Sequence, residues 1–499
     1  MKSQLVRSST CKLKMLFLVL VLPLLLLAQK KFPEDMINQS ETTAHIKYIA
    51  SDKLMGRRAN RPEINLAADY IAAEFRKARL LTFPNAKNYM QIVERSVFTP
   101  PTSGYIIILK DTLHLGTDIA LRSGERAIWN ASCVFAGFGV ADTVKGMDDY
   151  SGLDVKGKIA VIRYGTGTGS AGASARKAKL AIEKGARALI ELVDDTTPWQ
   201  ALLISTSQVS SRSLTDPAFV HLYVHDGKGT YLKAFQEGTI KSMSLNTEGL
   251  GKRIEQWRNV IGWIQGTNPL LRDEYLLLTA HYDHLGAGSR RGVVSGDTIF
   301  NGARDNGMGT VAIIVAAKAF AAQPPARSVI IAAVTGEEMG LIGSSYLAEN
   351  FPVPLRQVVF QFNNDGAGYT DTSVVTVVGL QRTTAEPSIV LGSARYGLKA
   401  IPEIPSLQSL FNASDNVPFI RRGVPAPTYS PGFHEFDAEL RKYYHQPGDQ
   451  ADEFFNYTYL AKFCQAYTYS ARLIADMKER PFWIAGDQYE AVGKTLYGK

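Results

Sequence analysis

From Asn259 onward the chain repeats one pattern: a short apolar run, a break carrying acids or histidines, then a stretch of helical periodicity. The runs are Glu274–Ala280 (EYLLLTA), Ser328–Thr335 (SVIIAAVT) and Gln357–Phe362 (QVVFQF), and the helical stretches include Gly309–Ala322 and Leu341–Asn350. A strand without polar alternation needs cover on both faces. This half of the chain therefore predicts an α/β fold, with a mixed, mostly parallel central sheet flanked by helices.

The first half reads differently. Residues 41–80 suggest two helices, the second at Ile64–Ala78 with Leu66, Ala67, Ile71, Ala72 and Phe75 on one face. Short strands follow from about Ser96, such as Tyr105–Leu109 and Cys133–Val140. Then come a strand at Lys158–Tyr164, a glycine-rich loop, a helix at Ser174–Gly185 and a strand at Ala188–Val193. This is a smaller β-rich module inside a larger α/β frame. The expected division is 1–28 as a signal peptide, 29–115 as a first frame segment, 116–249 as the insert and 250–499 as the second frame segment.

The first 28 residues carry a basic stretch ending at Lys14, the apolar run Met15–Ala28 and polar Gln29-Lys30-Lys31. The run is shorter than the about 20 residues of a spanning helix. It fits a secretory signal cut after Ala28, so the chain is expected to be secreted or periplasmic, with an uncleaved anchor as the alternative. The formal charge is 55 − 47 = +8, and Lys2, Arg7, Lys12 and Lys14 account for four of those charges. The remaining +8 − 4 = +4, spread over the rest of the chain, is no nucleic-acid footprint. Without Cys11 only Cys133 and Cys464 remain, which is no disulfide framework. Cys464 falls on the apolar face of a helix at Leu460–Met477 and reads as a packing residue.

Two segments carry chemistry. The first is Gly167-Thr168-Gly169-Ser170-Ala171-Gly172, a GxGxxG between a strand and a helix, with Glu191 near the end of the next strand. That is the context of a dinucleotide fingerprint. Against it, the preceding strands are short and turn-rich, and no second parallel crossover is evident between Glu191 and Ser213. The favoured reading is a glycine-rich connection.

The second is a series of acids and histidines at strand ends: His281-Tyr282-Asp283-His284, Asp305-Asn306, Gly336-Glu337-Glu338, Asn364-Asp365-Gly366 and Tyr444-His445. In an open parallel sheet, functional groups gather beyond the carboxyl ends of the strands. Histidine nitrogens with carboxylate oxygens suit zinc. The set exceeds what one catalytic zinc needs and suits two ions bridged by a carboxylate. Glu337-Glu338 places a candidate base beside a candidate ligand.

These motifs resemble the co-catalytic di-zinc aminopeptidases, whose family includes glutamate carboxypeptidase II and the transferrin receptor. The resemblance rests on HxD at His281/Asp283, GAxDN at 302–306, GEE at 336–338, Asp365 and YH at 444–445, with support from NVIGWIQG at 259–266 and SDNVPFIRRGVPA at 414–426. It implies a zinc exopeptidase fold and two Zn2+ per chain. One ion would take His281 and Asp365, the other Glu338 and His445, with Asp305 bridging. Glu337 would be the general base, Asp283 would orient His281, and Tyr444 would polarise the substrate carbonyl. Residues 132–247 resemble the protease-associated domain such enzymes often carry as an insertion. Arg304 stands where the family often has an acid, and Asn416 where it often has histidine; His284 and His434 fall outside the implied ligand set.

The expected activity is removal of N-terminal residues from peptides, with peptide substrates as partners, no nucleic acid and no membrane-spanning segment after signal removal; the partner of the inserted module is left open. Arg304 keeps a carboxypeptidase open as the alternative, since a carboxyl terminus needs a guanidinium clamp. A glutaminyl cyclase on the same fold, or a non-catalytic receptor-like binding protein, are the other readings. Sequence leaves the oligomeric state unknown.

Overall fold

The computed structural model describes residues 31–142, 146–165, 173–207, 216–288 and 296–498. The signal-peptide stretch and Gly167–Gly172 lie outside them. The described residues form two compact units: those up to Val93 together with those from Trp257 onward, and those of Glu94–Gln256 between. The insert thus begins at 94 rather than 116. The strands Gly104–Ile108 and Asp111–His114 pair with each other, and Gly104–Ile108 also pairs with Ser242–Thr247, so their backbone bonds belong to the second unit.

The first unit is built on a twisted mixed sheet. At its centre Tyr275–His281 runs parallel to both Ser328–Val334 and Val358–Asn364, and Thr428–Pro431 extends the parallel set. Gly251–Ile264 and Val374–Val378 join it antiparallel. Alternation sorts side chains to two cores. Leu276, Leu278, Val329 and Ile331 pack with Met308–Ala322 and Tyr457–Ala475 on one face, while Leu277, Ile330, Ala332 and Val334 meet Phe419, Ile420 and Trp483 on the other. Both faces are dry, which explains the wholly apolar runs.

The early helices Gln39–Ile49 and Ile64–Lys77 have no core of their own. Ile46, Ile49, Ile71 and Phe75 enter the same cluster as Ile313 and Phe320. The first segment is structurally part of the later sheet. Cys464 is fully buried in that core and Cys133 is partly buried; both thiols are free.

In the second unit Ala127–Phe135, Ile159–Arg163, Ala188–Val193 and Val220–His225 run parallel. The expected strand Cys133–Val140 is therefore displaced: it starts earlier and ends at Phe135, just before the left-handed turns at Gly137 and Gly139. A second parallel crossover does exist, since Val220–His225 lies beside Ala188–Val193 after the helix Trp199–Ser207. That argument against a dinucleotide site falls, and a stronger one replaces it. Glu191 is fully buried, with Lys177 Nζ 3.3 Å from one carboxylate oxygen and His221 Nε2 2.9 Å from the other. It cannot reach a ribose.

Among the described residues, no helix is long and apolar enough to cross a membrane.

Candidate metal centre

The parallel strands deliver their carboxyl ends to one place. His281 closes Tyr275–His281, Glu337 and Glu338 follow Ser328–Val334 after a left-handed Gly336, and Asp365 follows Val358–Asn364. Asp305 comes from the turn before Met308–Ala322, where the Asp305–Asn306 peptide is cis. His445, at positive φ, comes from the loop after Ala438–Arg441. Together with Tyr444 these side chains line a cavity of about 120 Å3.

Their atoms converge in two halves that share Asp305. In one, His281 Nε2 lies 3.1 Å from Asp365 Oδ1 and 3.4 Å from Asp305 Oδ1. In the other, His445 Nε2 lies 3.2 Å from Asp305 Oδ2 and 3.4 Å from Glu338 Oε1. Donors around one zinc ion, each about 2.0–2.3 Å from it, stand at such separations.

His284 joins the second half. Its Nδ1 is 2.9 Å from Glu338 Oε1 and 3.9 Å from Asp305 Oδ2, and His284, Asp305 and Glu338 form a compact group able to hold an ion. This departs from the sequence reading, which left it outside. The residue follows its strand in an irregular segment, where no periodicity says which way a side chain points. His434 does lie elsewhere, exposed and paired with Asp371 at 3.0 Å.

The electrostatics record an excess of negative charge. Burial lowers the pKa of His281, but Asp365 and Asp305 outweigh it and raise the value well above 6.5. His445 is likewise raised against burial, to about 10, by Asp305 and Glu338. Burial and the Asp305 charge oppose ionisation of Glu338, yet His284 and His445 hold it at about 2. Burial pushes Asp283 up to about 7. Glu337 is raised well above the usual carboxylate range by burial and by Asp365, Asp415 and Glu338. Glu338 Oε1, Asp283 Oδ2 and both ring nitrogens of His284 lack hydrogen-bond partners. Such a buried set is incomplete without cations. The donor types fit zinc.

The supporting groups are mostly ones the sequence reading passed over. His281 Nδ1 faces the backbone carbonyl of Asp283 at 3.2 Å, with the carboxylate farther away at 3.8 Å. That carboxylate instead accepts from the Glu337 backbone N–H at 3.1 Å. Buried Asp449 accepts from the backbone N–H groups of Arg304 and Asp305, fixing the turn that carries the shared aspartate. Buried Arg57 donates to the carbonyls of Ile49, Tyr282, Asn301 and Gly302, tying the first segment to two loops of the site. Its neighbour Gly56 has φ +67°, and a Cβ there would stand 2.5 Å from the carbonyl oxygens of Gly286 and Phe300. Gly56-Arg57 was the available signal: a glycine and an arginine in a turn that no helix or strand pattern needs.

Arg304 is not free for a ligand. Its guanidinium meets Asp449 at 3.1 Å and lies over the Tyr443 ring, 3.9 Å from the centroid. Arg422 bonds the Pro418 carbonyl, and Arg421 is exposed. Asn416 is buried, donating to the Phe411 and Ala426 carbonyls as a structural tie. Tyr444 stacks on His445 with ring centroids 3.9 Å apart, and burial with the surrounding carboxylates raises its pKa, keeping the phenol protonated.

The sequence model of peptidase family M28 matches residues 259–470, the stretch that holds every one of these donors. That stretch of the chain is similar to peptidase family M28. Aminopeptidase YwaD of Bacillus subtilis (strain 168) is 26% identical over 300 residues, covering 60% of this chain and 58% of that protein. A probable zinc metalloprotease of Pyricularia oryzae is 30% identical over 125 residues, 24% of each. The chain thus spans little more than half of the first relative's length and a quarter of the second's. Among solved structures, the aminopeptidase from Aneurinibacillus sp. strain AM-1 superposes with a TM-score of 0.53 at 19% identity, covering 90% of this chain and 96% of that one. This last likeness is one of fold.

Proposed function

We propose that this chain is a member of peptidase family M28 and an exported zinc-dependent aminopeptidase, releasing neutral or apolar residues from the amino end of peptides. The observation that carries the reading is the convergence of His281, Asp305, Asp365, Glu338 and His445 on one cavity, with Glu337 beside them. Two zinc ions would be held there, His281 and Asp365 donating to one, Glu338 and His445 to the other, and Asp305 available to both. Names of relatives support it: an aminopeptidase and a probable zinc metalloprotease. Residues 1–28 act as the export signal, and the unit 94–256 is the inserted protease-associated domain.

Zinc bound there supplies Lewis acidity, polarising the scissile carbonyl and making a nearby water acidic. The chain's own groups do the rest. Glu337 takes the attacking water's proton on its carboxylate and returns it to the leaving amine. Tyr444, kept protonated, donates to the carbonyl oxygen as charge develops there. The Asp283 carbonyl and carboxylate orient His281 and the Glu337 backbone.

Direction follows from charge. A free substrate amine finds carboxylates at Glu337 and Asp365, whereas the carboxyl end would need a guanidinium, and Arg304 is consumed by Asp449 and Tyr443. Val378, Leu410, Phe433 and Phe436 line the same cavity and would receive an apolar side chain.

The test has two parts. Metal analysis of purified protein is expected to give two zinc equivalents, and their absence overturns the reading. Leucine p-nitroanilide is expected to be cleaved and its N-acetylated form left intact. Cleavage only of an N-blocked peptide with a free carboxylate would sink the aminopeptidase claim alone.

A further inference from the structure

We infer that His284 is a fourth protein donor to the zinc site of Glu338 and His445, so that the two ions sit in unequal sites, one closed and one open. This rests on the di-zinc reading above. The imidazole is fully buried, and neither ring nitrogen makes a hydrogen bond. Its Nδ1 instead faces a carboxylate oxygen without hydrogen-bond geometry, a buried contact between two lone-pair donors that a cation between them would complete. Its Nδ1 faces the same Glu338 and Asp305 oxygens that His445 Nε2 faces: 2.9 and 3.9 Å from His284, 3.4 and 3.2 Å from His445. The two rings stand 5.8 Å apart between centroids, tilted by 67°.

The backbone holds His284 there. Its N–H donates to the Arg57 carbonyl at 3.2 Å, while Arg57 itself grips Tyr282, Asn301 and Gly302. Gly302, at φ +57°, lets the ring pack against the loop, since a Cβ there would stand 2.6 Å from the imidazole. Moving the ring away requires moving the turn that carries Asp305.

The consequence is an asymmetry. His284, His445, Glu338 and Asp305 supply the four donors of a tetrahedral site, which is the closed arrangement of structural zinc. His281, Asp365 and Asp305 supply three, which leaves one position open, the arrangement of catalytic zinc. Contact with the substrate's reacting carbonyl then falls to the His281–Asp365 side.

The decisive measurement is a crystal structure of the zinc-loaded wild-type enzyme, with zinc located by anomalous scattering. His284 Nδ1 is expected about 2.0–2.1 Å from the zinc bound by Glu338 and His445. A ring nitrogen left beyond bonding distance overturns the inference while the di-zinc reading stands; a crystal that takes up no zinc overturns that reading instead. In solution, zinc titration against a competing chelator compares wild type with His284→Ala. One zinc equivalent is expected to weaken by more than about 100-fold, beyond the 10–100-fold typical of an outer partner, while the other is unchanged. A smaller loss, or none, overturns the proposal. The crystal structure needs no variant, so a poorly folding His284→Ala does not shield it.

Discussion

Both units bury a cluster of titratable groups beside parallel strands, and the two clusters are built on opposite principles. In the 94–256 unit the charges are matched. Lys177 gives its three protons to the Arg163 and Gly165 carbonyls and to Glu191, whose other oxygen meets His221. In the metal centre the carboxylates Asp283, Asp305, Glu337, Glu338 and Asp365 outnumber the imidazoles, and several of their atoms have no partner. A closed set of partners holds a fold together. An open set with surplus negative charge is of the kind that a cation completes. Burial alone does not separate these cases; the balance of donors and acceptors does.

The comparison is easiest to break at its most consequential residue. On the proposed di-zinc reading, Glu337→Gln is expected to lower kcat by about 10²–10⁴-fold with both zinc equivalents retained, whereas Glu338→Gln should lose zinc. Metal analysis beside steady-state kinetics separates the two, and exchanged behaviours would reverse the roles within the pair.

In the matched cluster, Glu191→Gln should leave the Lys177 ammonium buried without its counter-charge, costing about 3–5 kcal/mol. Adding Lys177→Met should recover most of that loss. Denaturant unfolding of the full chain checks this, and additive losses in the double variant would mean the groups do not form a pair.

Acid should sharpen the contrast. Burial lowers the pKa of His221 below 6.5 despite Glu191. As pH falls through 6.5 the unfolded chain takes up a proton that the folded chain does not. Stability therefore declines, by up to about 1.4 kcal/mol per pH unit, until the folded pKa is reached. His221→Gln should flatten that part of the pH profile; an unchanged slope would show that His221 is not its source.

The smallest effect lies back in the metal centre. In zinc-free protein Glu337→Gln should be neutral or stabilise by about 0.5–2 kcal/mol, because it removes a carboxyl whose pKa folding raises. Thermal unfolding in the presence of chelator would reveal a loss of stability, which would contradict the surplus of negative charge.

Much of this was legible beforehand. Uninterrupted apolar runs such as SVIIAAVT demand cover on both faces, and parallel strands must end on the same edge. His281, Glu338 and Asp365 could therefore be grouped from their positions after such runs. The boundary at 94 was not legible, because Gly104–Ile108 looks the same as a strand whichever sheet it joins. Nor was the neutralisation of Arg304, whose partners Asp449 and Tyr443 lie far along the chain.

The division has one physical cause. Local periodicity and strand-end position are properties of neighbouring residues, so the sequence by itself determined the α/β frame, the sheet edge that carries the chemistry and the residue types suited to a metal. Whether a given polar group there meets a partner depends on atoms brought in from other segments. Only the tertiary structure decided that Arg57 and Asp449 would be spent on holding loops, that Glu191 would be sealed between Lys177 and His221, and that His284 would face Glu338 with its nitrogens unpaired.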